Sequence, residues 1–292
     1  MRVSENMRVA GASSAQRQLA SRLEKASVVA ARGEKVTAPS DDPVAYAARV
    51  SGDHASTMND RRFELATRVS VEMEMAEGVL SVGVDLLAQA RATAVAGSND
   101  TLDAGTRALL AQEVTALHTR MLGVANSRFG NKYLFAGSKT DAPPFELSGA
   151  FVGDDVVTRV SLMDGVAPPG NVSGARAFTQ AGGRDVLGDL KTLADALAAN
   201  DVAGIRASID AVDASHTQLV RAQTEAGFGI ERFRSAIDVM DSARIVMAKT
   251  RANDVEGDSL AHFTELTLAK SAYERGVGVT RQLLSLLSLS RQ

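Results

Sequence analysis

"VSVEMEMAEGVLSVGVDLLAQARATA", residues 69–94, decides the fold. Val69, Met73, Ala76, Leu80, Gly83, Leu87, Ala90 and Ala94 step alternately by four and three residues. That is the spacing of a helix face packed lengthwise on another helix. The pattern breaks at Gly97-Ser98-Asn99-Asp100 and resumes as Leu110, Val114, Leu117, Met121 and Val124. Val186, Leu190, Leu193 and Leu197 repeat it, followed by Ile205, Ile209, Val212, His216 and Leu219. Ile230, Phe233, Ile237, Met240, Arg244 and Met247 complete the set. Five helical segments are expected, with Gly227 and Gly229 as a bend between the last two.

Proline placement agrees. The six prolines are Pro39, Pro43, Pro143, Pro144, Pro168 and Pro169, so residues 44–142 and 170–292 contain none. Proline breaks helix interiors, and both spans are free to form long helices. The expected fold is mainly α: a long antiparallel coiled-coil-like bundle built from both chain halves. Residues 128–182 differ, holding four of the prolines together with Phe129, Phe135, Phe145, Phe151 and Phe178. Val156, Thr158, Val160 and Leu162 alternate along one strand face, and Asp154-Asp155 reads as its turn. A small antiparallel β domain inserted at 128–182 is expected, dispensable for the bundle.

Composition excludes several functions. The 292-residue chain has a net charge of −3 and no Lys/Arg run, which points away from nucleic acid. It has no Cys, so thiol nucleophiles, disulfides and zinc–thiolate sites are excluded. No run of about 18 apolar residues occurs, so no membrane insertion is expected. The N-terminal stretch lacks the apolar core of a cleavable signal peptide. Aromatic residues are only 4%, with no Trp, which suits helix seams of Ala, Leu, Val and Met.

The candidates for chemistry read more simply as structure. In "APSDDPVAYAAR", residues 38–49, Ser40 and Asp42 are N-cap candidates for a helix starting at Pro43. Asp41 and Asp42 have no third acidic or His ligand at helical spacing. His54, His118, His216 and His262 are scattered, and His216 falls on a seam position. Gly276 and Gly278 read as close-packing points, not as a phosphate loop. No catalytic, metal or cofactor site is expected, and the chain reads as a non-enzyme.

The ends carry thin stripes: Leu19, Leu23, Ala26 and Ala30, then Leu266, Ala269, Tyr273, Gly276, Thr280, Leu283 and Leu287. Such helices are marginal without a partner, so Leu19, Leu23, Leu266, Tyr273, Leu283, Leu284 and Leu287 are the candidate assembly residues.

Several blocks carry a family resemblance. "MRVSENM", "RGEKVTAPSDDPVAYAAR" and "ELTLAKSAYERGVGVTRQLLSLL" resemble the bacterial flagellin superfamily. In "ANSRFGNKYLFAGSKTDAPPF", residues Asn126, Gly130, Tyr133, Phe135, Ala136, Gly137, Thr140, Pro144 and Phe145 resemble the pattern of its hook–filament junction branch. The C-terminal helix departs from the family by ending Ser-Leu-Ser without an aromatic. The resemblance implies a structural flagellar subunit, exported without a cleaved signal. It implies a homo-oligomeric ring between the first hook-associated protein and flagellin, and an export chaperone that binds the C-terminal region. It further implies an inner assembly domain (1–35 and 258–292), a helical rod (36–127 and 183–257) and an outward insert (128–182). A flagellin filament subunit and a soluble coiled-coil scaffold are the alternatives.

Overall fold

The computed structural model describes every residue except Met1, Lys35, Thr37, Asp164, 255–258 and 290–292. Its elements are α1 (Arg2–Arg32), α2 (Pro43–Gly97), α3 (Ala104–Ala125), β1 (Arg128–Phe129), β2 (Lys132–Tyr133), α4 (Gly174–Phe178), α5 (Val186–Ala198), α6 (Val202–Asp254) and α7 (Ser259–Leu289). The chain divides into two compact units, Asp60–Asp241 and Met1–Asn59 with Ser242–Gln292.

The first unit is the bundle. All eight seam residues read from Val69 to Ala94 are buried. Residues going up α2 and into the turn after it meet residues going down α6: Glu74 with Arg234, Glu77 with Gln223, Arg91 with Asp213 and, past the end of α2, Asp100 with Arg206. The two helices are therefore antiparallel. α3 also runs back along α2, placing Met121 and Val124 beside Gly83 and Leu110 beside Gly97. α5 packs on α3 and buries Val186, Leu190, Leu193 and Leu197. Each fully buried Leu or Val contributes about 1.5–3 kcal/mol, so the seam is the main stabilising feature of the unit. α2 does contain an 18-residue window of mean hydropathy 1.3, apolar enough by length and composition to cross a bilayer. Its apolar seam is used inside the bundle.

Two expectations about α6 are corrected. It runs through Gly227 and Gly229 as one continuous helix, with no interruption between two helices there. Gly229 instead lets the helix approach Met73 Cε and Pro169 closely. The seam also keeps a different register, passing through Ile205, Ser208, Val212, Ser215 and Leu219. His216 lies half-exposed beside it. Ser215 can occupy the core position because its hydroxyl donates to Asp189 of α5 at 2.6 Å, and a buried hydroxyl with a partner escapes most of its desolvation cost. Farther along, Ile237 is half-buried and Arg244 is exposed.

The antiparallel pairing of the insert is small. β1 and β2 pair Arg128 with Tyr133 and Phe129 with Lys132. Single bridges link Phe145 to Phe151, Arg159 to Pro169 and Met163 to Val166. The expected alternation holds only at its end, where Leu162 is buried while Val156 and Thr158 are exposed. Asp154 and Asp155 do not form a hairpin turn. Asp154 accepts from the Ser138 hydroxyl and backbone, and Asp155 accepts from Ser173 and Arg176. They fasten neighbouring loops through bonds to an ionised carboxylate, which are stronger than bonds between neutral groups. The insert is also not an appendage, since Phe135, Phe145, Leu162 and Phe178 belong to the same core as Leu80, Leu193 and Phe233.

In the second unit α1 and α7 lie antiparallel. Leu19 Cδ1 sits over Gly276, where any Cβ would collide, and Arg22 pairs with Glu265 at 2.8 Å. Gly278 has open space around it, so of the two glycines only Gly276 is a close-packing point. Glu34, just past α1, is bound by Arg49 of α2 at 3.2 Å and by Arg251 of α6 at 3.0 Å.

Candidate assembly interface

The start of α2 resolves the paired aspartates. Asp42 Oδ1 accepts from the backbone N–H groups of Val44 and Ala45 at 2.9 and 3.0 Å, so Asp42 is the N-cap and Pro43 the first helical residue. Asp41 accepts from the Ala38 N–H at 2.9 Å and closes the preceding turn. Ser40 lies exposed in that turn. No group of three or more His, Asp or Glu among the described residues could hold a metal.

The motif residues 126–145 form one compact knot. Asn126 ends α3, and its amide clasps the Phe145 backbone twice, donating to the carbonyl at 2.9 Å and accepting from the N–H at 3.0 Å. Gly130 adopts φ 57° in the turn between β1 and β2, a left-handed conformation that suits glycine. Tyr133 donates its N–H to Thr140 at 2.9 Å and lies under the Arg128 guanidinium, 4.9 Å from the ring centroid. Gly137 has φ 70° and lies against Asp154, so a side chain there would collide. Pro144 is buried and its carbonyl accepts from Val152. Phe135 and Phe145 stand edge-on to Phe178, with centroids 5.2 and 5.7 Å away. Ser138 holds the Asp154 carboxyl below its ordinary value through its hydroxyl and its N–H.

The motif thus closes the bundle at the foot of α3. Beside it Gln218 of α6 is buried and makes four bonds. It donates to the carbonyls of Ala177, Thr179 and Arg184 and accepts from the Arg184 N–H. Arg107 is likewise buried and binds Gly97 O, Asn99 O and Asn200 Oδ1. Neither residue was singled out from sequence, because nothing local marks a polar side chain whose partners lie on distant loops.

On the terminal pair, Leu19, Leu23, Leu266 and Tyr273 are half-buried, while Ala26 and Ala269 are buried. Leu283, Leu284 and Leu287 fall within α7, but their side chains lie outside the described residues. A groove of about 440 Å³ opens along this pair, with Ala26, Val29 and His262 on its walls.

Residues 3–140 match the family model described as the bacterial flagellin N-terminal helical region. That match covers a little under half of the chain. Over 123 residues it is 36% identical to the flagellar hook-associated protein 3 of Escherichia coli. That alignment spans 41% of this chain and 39% of the relative. Its fold is similar to the crystal structure of Xanthomonas campestris FlgL, with a TM-score of 0.63 at 17% identity over 69% of this chain and 99% of that one. It is similar also to the flagellar junction protein FlgL from Legionella pneumophila, with a TM-score of 0.59 at 15% identity over 72% and 100%.

Proposed function

We propose that this chain is the structural subunit that joins the flagellar hook to the filament. The observation that carries this reading is its identity to hook-associated protein 3. In this role the α1–α7 pair is the inner assembly domain (1–35 and 258–292), the helices at 36–127 and 183–257 are the rod, and 128–182 faces outward. The paired terminal helices suit such a role, since most of their stripe residues are only half-buried in the single chain and would gain burial against neighbouring subunits. The subunit forms a ring with its own copies and contacts the first hook-associated protein on one side and flagellin on the other. It reaches the flagellum through the export apparatus with no cleaved signal, escorted by a chaperone on its C-terminal region. Its contribution is mechanical rather than catalytic.

The test is microscopy of cells whose only copy carries a small tag after Leu147, an exposed residue of the insert. One focus at the base of each filament is expected. Signal along the whole filament would refute the junction role and favour a filament subunit. Absence from the flagellum would refute both.

A further inference from the structure

The bundle unit presents two exposed stripes at heptad spacing, each with apolar residues at both ends, that its own core does not use. On α6, Phe228, Arg232, Ser235 and Val239 follow one another by four, three and four residues, outside the buried seam. With Met163 and Val166 of the insert they line a groove of about 430 Å³. Phe228 is 64% and Val239 53% exposed. On α2, Val71, Met75, Gly78 and Val82 repeat the same spacing on the face turned from the seam. Val71, Met75 and Val82 are 44, 45 and 47% exposed, and a Cβ at Gly78 would meet nothing. Both stripes are heptad faces, with a large residue at each end and a small one, Gly78 or Ser235, third in line. Each runs about 16 Å along its helix. A second heptad face on a helix already buried along its first is the pattern of a helix with another helix to meet.

The charges match as well. Glu64, Glu72 and Asp85 border the α2 stripe without an ion pair among the described residues. Arg232 within the α6 stripe and Arg159 beside it make no ion pair among the described residues, while Glu231, which also lines the groove, is paired with Arg234 at 2.8 Å. Arg68 on the first face and Glu225 on the second carry the reverse combination.

We propose that the α6 groove of one copy receives the Val71–Val82 stripe of a second copy. The proposal deepens the reading above, since it rests on the chain assembling with itself. The two patches differ, so the contact is heterologous and can repeat from copy to copy. They also lie at the same level of the bundle, where Glu74 meets Arg234 at 3.0 Å and Met73 abuts Gly229. Copies joined this way stand side by side, and repetition gives a ring or a shallow helix rather than an end-to-end rod.

The chain has no cysteine, so introduced thiols are the only ones present. Purified full-length Met75→Cys/Phe228→Cys, concentrated and treated with a short bis-maleimide, should give a ladder of covalent oligomers. A mixture of the two single variants should stop at dimers, and neither single variant should link to itself. Three results would overturn the proposal: no ladder, self-linking by Met75→Cys alone, or an equal ladder from Leu109→Cys/Phe228→Cys, whose first thiol sits on exposed Leu109 away from the stripe. A focus at the filament base without the ladder condemns these faces. The ladder without a focus condemns the junction role instead.

Discussion

Truncating Phe178 should loosen the whole bundle, although the residue lies in the insert. Its ring is 0% exposed and receives Phe135 and Phe145 edge-on. Phe to Ala at a closed site costs about 3–5 kcal/mol, including the cavity left behind. The two aromatic pairs account for about 0.5–1.5 kcal/mol each within that total. A domain of ordinary stability has about 5–15 kcal/mol to lose. With a urea slope near 3 kcal/mol per molar, the midpoint should fall by about 1–1.7 M. The chain has no Trp, so far-ultraviolet circular dichroism is the suitable signal, and it reports on the bundle helices directly. Phe178→Leu, which keeps most of the volume, should fall between the wild type and Phe178→Ala. If Phe178→Ala left the helical midpoint unchanged, the shared core described above would be wrong and the insert would be an appendage.

Gly227 sits inside α6 with nothing near its Cα substituent position, so Gly227→Ala should raise stability by about 0.5–1 kcal/mol, seen as a higher melting temperature. A bend at this point would give the opposite sign. Asp42→Ala should cost about 0.5–2 kcal/mol through loss of the α2 cap, while Ser40→Ala should change nothing; protease sensitivity near residue 43 would report it. His118 is held below its ordinary value of 6.5 by partial burial and then by Lys191. Its folded form therefore prefers the neutral ring, and stability should fall as pH drops through about 6.5 toward the folded value. His118→Gln should flatten that part of a denaturation series, and an unchanged slope would contradict the assignment.

The α2 and α3 seams could be read from sequence because burial there is set by local spacing alone. Every residue from Val69 to Ala94 that the step pattern selects is buried, and Val114, Leu117, Met121 and Val124 follow suit. The reading slipped on α6 at His216 because Ser215 gains its place from Asp189, 26 residues away. It placed a bend at Gly227 because glycine pairs break isolated helices, whereas this helix continues through both glycines and packs on Met73 and Pro169 at Gly229. The insert was legible as an interruption but not as a core element. Its Phe side chains reach bundle residues far along the chain, and alternation carries no record of such distances. The Asn126 clasp on Phe145 was visible only as family pattern. Its physical reason, two backbone groups satisfied by one amide, needed the geometry.

The pairing of α1 with α7 also fixes an order of events. Leu19 leaves the ribosome well before Gly276, on which it rests and which follows 257 residues later. At about 5–20 residues per second, the first helix waits roughly 10–50 s for its partner. Closing so long a loop carries its entropy cost before any contact offsets it. Over that interval α1 is without the helix that later covers its stripe, and its apolar side chains face water until α7 arrives.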